Sequence, residues 1–252
     1  FYFLSMIVGV YCLCRFGAFW SKMLSERFSV VGYNRSGMRE IPEGYRYGTE
    51  EEVINADVLF LCVSISSFEE VIDRIAPRIG KGTLVIDTCS VKVHPAQVMR
   101  RKLPVENEII ASHPMFGPDS AREGLAGLPM VFCPVHARED TIEFWRAVFQ
   151  HYRLRVLEMT PEEHDRKAAY TQGITHFIGR VLEGFDLEES EMGTVGYHKL
   201  LDIVEQTCND PLQLFLDLQN FNPYTKEMRR DVYRSFEDTL HKLDTPHEFE
   251  DY

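Results

Sequence analysis

Residues Val8–Trp20 read VGVYCLCRFGAFW: an apolar run, a tight turn and the first turn of an amphipathic stretch. Strand, turn and helix in that order are how an α/β sheet opens. In sheets that bind a dinucleotide, the turn reads G-x-G-x-x-G. Its first glycine permits the tight turn, its second lets the backbone approach the pyrophosphate, and its third lets helix and strand pack closely. This chain has C-x-C-x-x-G, formed by Cys12, Cys14 and Gly17. Only the packing glycine is kept, and on its own the motif is weak.

Outward from this stretch, short apolar runs alternate with longer amphipathic ones. The predicted strands are Met6–Tyr11, Ser29–Tyr33, Val58–Val63, Thr83–Asp87, Glu108–Ser112, Met130–Cys133 and Arg153–Glu158. Helices are predicted between them at Phe16–Arg27, Glu50–Asn55, Phe68–Ile79, Pro95–Lys102 and Thr141–His151. Such alternation implies βαβ units in a doubly wound, Rossmann-like and largely parallel sheet. After Glu158 only helical periodicity remains. Thr160, Pro161 and Glu163 form a capping-box start, and breaks fall near Gly184–Gly196, Asn209–Pro211 and Asn222–Pro223. The expected organisation is an α/β dinucleotide-binding domain over 1–158 and an all-helical substrate and dimerisation domain over 159–252, with ligand expected in the cleft between them.

Composition narrows the function classes. A formal charge of -12 over 252 residues argues against general binding to nucleic acid or anionic membranes, because phosphate would be repelled. The apolar lead-in before Arg15 is too short to span a bilayer and carries no basic leader, so it is expected to be a buried strand. The six cysteines include no C-x-x-C pair and no Cys/His set at zinc spacing. A reduced, cytoplasmic protein without disulfides or a metal is the expectation.

The candidate cofactor residues come from three strand ends. Cys12, Leu13, Cys14, Arg15, Phe16 and Gly17 form the first turn. A cysteine at position 12 must accept the turn's dihedrals, and one at position 14 puts a sulfur where phosphate oxygens would approach. At the second strand's end, where a NAD-specific site carries a carboxylate for the ribose hydroxyls, this chain has Asn34, Arg35 and Ser36. An amide, a guanidinium and a hydroxyl suit a 2′-phosphate, so NADP is expected, with NAD as the other option. Val63 and Ser64 sit where a dinucleotide would cross the third strand, although a plain strand-to-helix cap explains them equally well. His113 follows an apolar strand, at the edge where open α/β sheets bind ligands.

Three stretches, DTCSVK (87–92), ASHPMFGPDSAREGLAGLPMVF (111–132) and EEHDRKAAYTQGITHFIGRVLE (162–183), give the chain a resemblance to the prephenate/arogenate dehydrogenases of tyrosine biosynthesis. The likeness runs over about residues 6–240, and its NRS and THFIGR forms are closer to the plant, arogenate-type, NADP-using branch. The resemblance implies oxidative decarboxylation of arogenate or prephenate, with His113 taking the proton of the ring hydroxyl. It also implies Ser90 orienting that histidine, Lys92 in the same motif, and His176 contacting substrate. Gln172 lies in the same helical motif. Arg180, one turn beyond His176, is placed to pair with a substrate carboxylate, and Glu162 to receive the amino group of arogenate, unless it only stabilises a helix start. A homodimer through the helical domain is implied, and a plastid if the source is plant-like. The chain departs from the family at Cys12 and Cys14. It also has no clean match to the arginine motif that holds the ring carboxylate in the bacterial enzymes; Arg229 and Arg230 are the candidate substitutes, although they read more simply as a solvated patch. The competing expectation is a degenerate member that binds cofactor poorly and acts as a non-catalytic regulator.

Overall fold

The computed structural model describes residues 6–37 and 44–244. The chain divides into two compact units, Phe1–Asp165 and Arg166–Tyr252.

Among the described residues the first unit is built on eight strands: β1 (Ile7–Tyr11), β2 (Ser29–Tyr33), β3 (Arg46–Tyr47), β4 (Val58–Leu61), β5 (Leu84–Asp87), β6 (Ile109–Pro114), β7 (Pro129–His136) and β8 (Arg155–Glu158). They lie in the order β3-β2-β1-β4-β5-β6-β7-β8. All neighbours are parallel except β6 and β7, which pair antiparallel. Five helices connect them: α1 (Arg15–Ser25), α2 (Glu50–Ile54), α3 (Ile65–Ile75), α4 (Val93–Lys102) and α5 (Glu139–His151). The fold is Rossmann-like. Strand order reverses between β1 and β4, which opens a crevice at their carboxyl ends, the usual ligand position in open α/β sheets.

The central strands are apolar along their length because both faces are covered; β4 (VLFL) and β5 (LVID) are buried throughout. Aromatic rings fill the space under α1 and α5. Trp145 meets Phe60 edge-on at 5.3 Å, and Trp20 meets Phe60 at 5.7 Å. Each such pair adds about 0.5–1.5 kcal/mol beyond simple burial.

Three sequence expectations need correction. β3 was not foreseen: its two residues are exposed and carry no apolar pattern. Helix α1 starts one residue early, which makes Cys14 its N-cap. And β6 runs on through Pro114, so His113 lies inside the strand, opposite Val131 of β7, and does not follow it.

Helix α6 (Pro161–Ala168) opens with a capping box: Thr160 Oγ1 accepts from the Glu163 N–H at 3.1 Å, and Glu163 accepts from the Thr160 N–H at 3.1 Å. One π turn (Ala169–Gly173) leads into α7 (Ile174–Glu183), followed by α8 (Val195–Cys208), α9 (Leu212–Phe221) and α10 (Thr225–Asp244). Helices α7 and α8 touch at Gly179, where a Cβ would come within 2.0 Å of Thr207 Oγ1. No helix among the described residues is long and apolar enough to cross a membrane.

Candidate active site and its relatives

Two constellations form at strand ends of the first unit. The first is the turn between β1 and α1. Cys12 takes the left-handed φ of 76° that a glycine would normally supply, and its N–H donates to the Tyr33 carbonyl at 2.9 Å. That conformation costs a side-chain-bearing residue about 1–3 kcal/mol, so the glycine is gone but the turn it specified remains. Gly17 keeps its packing role, since a Cβ there would lie 2.0 Å from the Cys12 carbonyl oxygen. Cys14 caps α1, its sulfur accepting from the Gly17 N–H at 3.5 Å.

Around this turn, Leu13 is buried against Gly32, and Phe16 stacks on Trp20 at 5.5 Å. Arg15 is exposed and pairs with Asp119 at 2.6 Å. At the end of β2, the Asn34 amide donates to Ser36 Oγ at 2.9 Å, and Arg35 and Ser36 face solvent. At the end of β4, Ser64 caps α3, and its hydroxyl donates to Ser67. Val63 lies beside it, half-buried. The three sets meet along one edge: the Cys62 N–H, just before Val63, donates to the Tyr11 carbonyl, just before Cys12. The N-terminus of α1 brings a partial positive charge to this edge, and among the described residues directly after β2 (34–37) there is no carboxylate, so phosphates are favoured.

The second constellation lies around β5 and β6. Lys92 is fully buried; its ammonium donates to the Asp87 carboxylate and to the Ser112 carbonyl. Asp87 also accepts from the Cys89 N–H at 2.9 Å, and its carbonyl accepts from the Ser112 hydroxyl at 2.6 Å. Burial raises the Asp87 carboxyl, and the Lys92 ammonium beside it is the strongest opposing influence.

Asp165 accepts from the backbone N–H groups of Lys92 (2.7 Å) and Val93 (2.9 Å). It also lies 2.8 Å from His164 Nδ1, and His164 Nε2 lies 2.9 Å from His113 Nδ1. These distances set the tautomers. The carboxylate can only accept, so His164 carries its proton on Nδ1 and offers a lone pair at Nε2. His113 must then donate from Nδ1, which leaves the lone pair on its own Nε2 for a ligand. Burial pushes His113 well below the usual histidine range, with the neighbouring His164 and Lys92 adding to the effect. His164 is lowered for the same first reason, while Asp165 opposes it. Both rings are neutral near pH 7, and a neutral ring is the form that accepts a proton.

Sequence reasoning singled out His113, Ser90 and Lys92. Lys92 is held in a buried ion pair, which gives it a structural place under β6 and leaves no free amine. The Nδ1 partner of His113 is His164, not Ser90, which is half-buried in the turn after β5. His164 and Asp165 were missed as site residues. Their only signal was the His-Asp pair inside EEHDRK, one turn past the Thr160 cap. Glu162 is exposed in the first turn of the same helix.

In the second unit, Gln172, His176 and Arg180 recur at four-residue intervals through the π turn and α7. Gln172 Oε1, His176 Nδ1 and Arg180 Nε are buried without a partner. Desolvation lowers the His176 ring. The rest of the Arg180 guanidinium is engaged by Glu183 at 3.1 Å and the Asp210 carbonyl at 2.9 Å. Arg229 is not part of a loose patch: it donates to Gln219 Oε1 at 2.7 Å and to the Gln219 carbonyl at 2.9 Å.

A family profile described as prephenate dehydrogenase, nucleotide-binding domain, matches residues 31–158, and one described as TYRAAT1-like, C-terminal domain, matches residues 181–250. The chain is 35% identical to arogenate dehydrogenase 2, chloroplastic, of Arabidopsis thaliana, over 95% of this chain and 70% of that protein. With arogenate dehydrogenase 1, chloroplastic, of the same plant the identity is 33%, over 91% of this chain and 38% of the relative's greater length. In fold it is similar to prephenate dehydrogenase from A. aeolicus (TM-score 0.72, 18% identity, 95% of this chain and 89% of the other). It is also similar to Synechocystis arogenate dehydrogenase (TM-score 0.71, 18% identity, 94% and 91%). A nucleotide-binding profile over half the chain, an identity of 35% across nearly all of it, and a reversal point flanked by a buried histidine relay agree: the chain belongs to the prephenate/arogenate dehydrogenase family, on its plant-type branch.

Proposed function

We propose that the protein oxidatively decarboxylates arogenate or prephenate in tyrosine biosynthesis, with NADP+ as hydride acceptor and NAD+ as the other option. The observation that carries the reading is the Asp165–His164–His113 relay, which presents His113 Nε2 as a buried proton acceptor. His113 Nε2 accepts the proton of the ring hydroxyl. His164 and Asp165 hold the imidazole in that tautomer and share the charge that develops on it. As the hydroxyl carbon loses hydride and the ring carboxylate leaves as carbon dioxide, the ring aromatises and the step becomes irreversible. Alignment is what remains for the protein to supply.

The residues of the first turn fit a dinucleotide. Cys12 holds the left-handed turn and Gly17 the close packing of α1, whose N-terminus, capped by the Cys14 sulfur, brings the partial positive charge that suits phosphate, while Asn34, Arg35 and Ser36 would hold a 2′-phosphate. The nicotinamide would supply the hydride acceptor. Residues 1–158 then serve nucleotide binding, and 159–252 substrate binding and dimerisation, with His176, Arg180 and Gln172 assigned to the substrate and Glu162 to its amino group. Unpartnered buried atoms at Gln172, His176 and Arg180 support that assignment. Ser90, expected to orient the histidine, stays assigned to the site from its half-buried place in the turn after β5, while His164 takes the Nδ1 side of the His113 ring. The chloroplastic relatives support a plastid, while the reduced cysteines suit the cytoplasm equally well.

A steady-state assay of arogenate and prephenate, each with NAD+ and NADP+, tests this reading. Turnover with arogenate and NADP+, lost in His113→Asn, is the expected result. Unchanged turnover in His113→Asn would overturn the assignment. Binding of substrate without turnover by the native chain would favour the non-catalytic relative, for which Cys12 and Cys14 are the argument.

A further inference from the structure

In the second unit, the direction in which α7 presents its side chains is set by the π turn Ala169–Gly173 that precedes it. A π turn adds one residue to a helical turn, and the form is rare, so a stable one needs support from its neighbours. Successive residues of an α-helix lie about 100° apart around the axis. A π turn that slips back to α therefore rotates all of α7 by that much relative to residues 166–168.

Helices α9 and α10 supply that support at both ends of the turn. Near its start, the Tyr170 hydroxyl donates to Asp231 Oδ2 at 2.6 Å. At its end, Gly173 lies against the buried Thr225 and Met228, and its carbonyl accepts from Gln219 Nε2 at 2.8 Å. Arg229 decides which way that amide faces. Its guanidinium donates to Gln219 Oε1 at 2.7 Å and to the Gln219 carbonyl at 2.9 Å. A guanidinium can only donate, so the amide oxygen turns to Arg229 and the amide NH2 to Gly173. The Thr225 hydroxyl fixes the same residue through its carbonyl at 2.8 Å. Gln219 is only 6% exposed, so water is a poor replacement for a lost partner.

We infer that Arg229 is a positioning residue: through Gln219 it locks the π turn in the register that presents Gln172 and His176. Gln172 lies inside the turn and His176 one turn beyond it, and among the described residues each keeps a buried polar atom without a partner. Arg229 acts on them from behind, because its Nη1 is committed to Gln219. Without the guanidinium the Gln219 amide is free to flip. Its oxygen then faces the Gly173 carbonyl, two acceptors repel, and the turn loses its tether. The π and α registers interchange, and only a fraction of the chains presents Gln172 and His176 as the native one does. Apparent affinity falls by that fraction, while the chemistry of a bound substrate does not change. The consequence for substrate rests on the substrate reading given above; the anchoring of the turn does not.

The experiment compares the full native chain with Arg229→Met, Arg229→Lys and Gln219→Glu. Hydrogen exchange reads the turn without substrate, and steady-state kinetics with arogenate and NADP+ read the consequence. In Arg229→Met, amides 173–178 should exchange about tenfold faster, the effect of one lost buried hydrogen bond. KM for arogenate should rise about tenfold as the competent fraction falls, with kcat and the KM for NADP+ within about twofold of native. Gln219→Glu keeps the partner of Arg229 and removes the donor to Gly173, so it should behave in the same way. Arg229→Lys keeps a donor and should recover most of both effects. Native exchange in Arg229→Met, or a loss of kcat at native KM, would overturn the proposal. Faster exchange spread over the whole second unit would do so too, by making Arg229 a general structural residue. A raised KM in Arg229→Met beside a native Gln219→Glu would likewise refute it, since that pattern belongs to an arginine that touches substrate itself. If the native chain turns over no arogenate, or His176→Ala keeps a native KM, the substrate reading fails, while exchange still decides whether Arg229 holds the turn.

Discussion

His113 Nδ1 lies 2.9 Å from His164 Nε2 although 51 residues separate them, and that one bond determines which nitrogen of His113 can act as a base. Asp165 holds the far end of the relay through His164 Nδ1.

The relay predicts a role for Asp165 that packing alone would not. In Asp165→Asn the side-chain amide can donate to His164, which reverses its tautomer and with it that of His113. Turnover should fall by about two orders of magnitude, the contribution typical of a positioned acid–base group, with a smaller change in KM. Steady-state kinetics across pH check this. A native kcat and pH profile in Asp165→Asn would mean that the relay sets nothing.

Acid should weaken the fold in a defined window. Burial depresses both His113 and His164, so below the unfolded value of about 6.5 the unfolded chain binds protons that the folded one refuses. Stability from these groups is complete above that pH and declines as pH falls through it. Melting temperature should drop between pH 7 and 5, each kcal/mol lost corresponding to about 2–4 °C. A double variant, His113→Asn with His164→Gln, should flatten the decline; an equal slope in that variant would assign it elsewhere.

Lys92 anchors β5 to β6 through its pair with Asp87 and the Ser112 carbonyl. Lys92→Met strands a carboxylate in the sheet, and urea unfolding should show a loss of about 3–5 kcal/mol. Pairing it with Asp87→Asn should recover part of that loss, because the orphaned charge is gone. No recovery would place the cost in the Ser112 contact.

Cys14 bears on nucleotide affinity by charge. With its thiol pulled down to about 6, the loop gains a negative charge as pH rises from 5.5 to 8, and NAD+ should bind more weakly at the higher pH. Cys14→Gly removes both charge and Cβ and should tighten binding at pH 8 by about fivefold, the scale of one screened charge at contact distance. Calorimetric titration of both chains reads this directly, and unchanged or weaker binding by the variant would mean that the loop faces the phosphates differently.

The sequence by itself determined the order of elements. Six of the eight strands of the described residues, β1, β2 and β4 to β7, are largely buried apolar runs, because a sheet covered on both faces needs buried side chains along its central strands. It missed β3, whose Arg46 and Tyr47 are exposed and are held to β2 by backbone pairing that no side-chain pattern reports. His113 and Lys92 could be named from the motifs that contain them. What each does could not be read there, because a histidine's tautomer and a lysine's burial depend on partners distant in the chain. Tertiary structure alone brought His164 and Asp165 to His113, buried Lys92 against Asp87, and gave Cys12 the backbone angle of the glycine it replaces. Local pattern specifies elements, since propensity and periodicity act over a few residues; the chemistry of a site depends on which donors and acceptors the packing leaves facing one another.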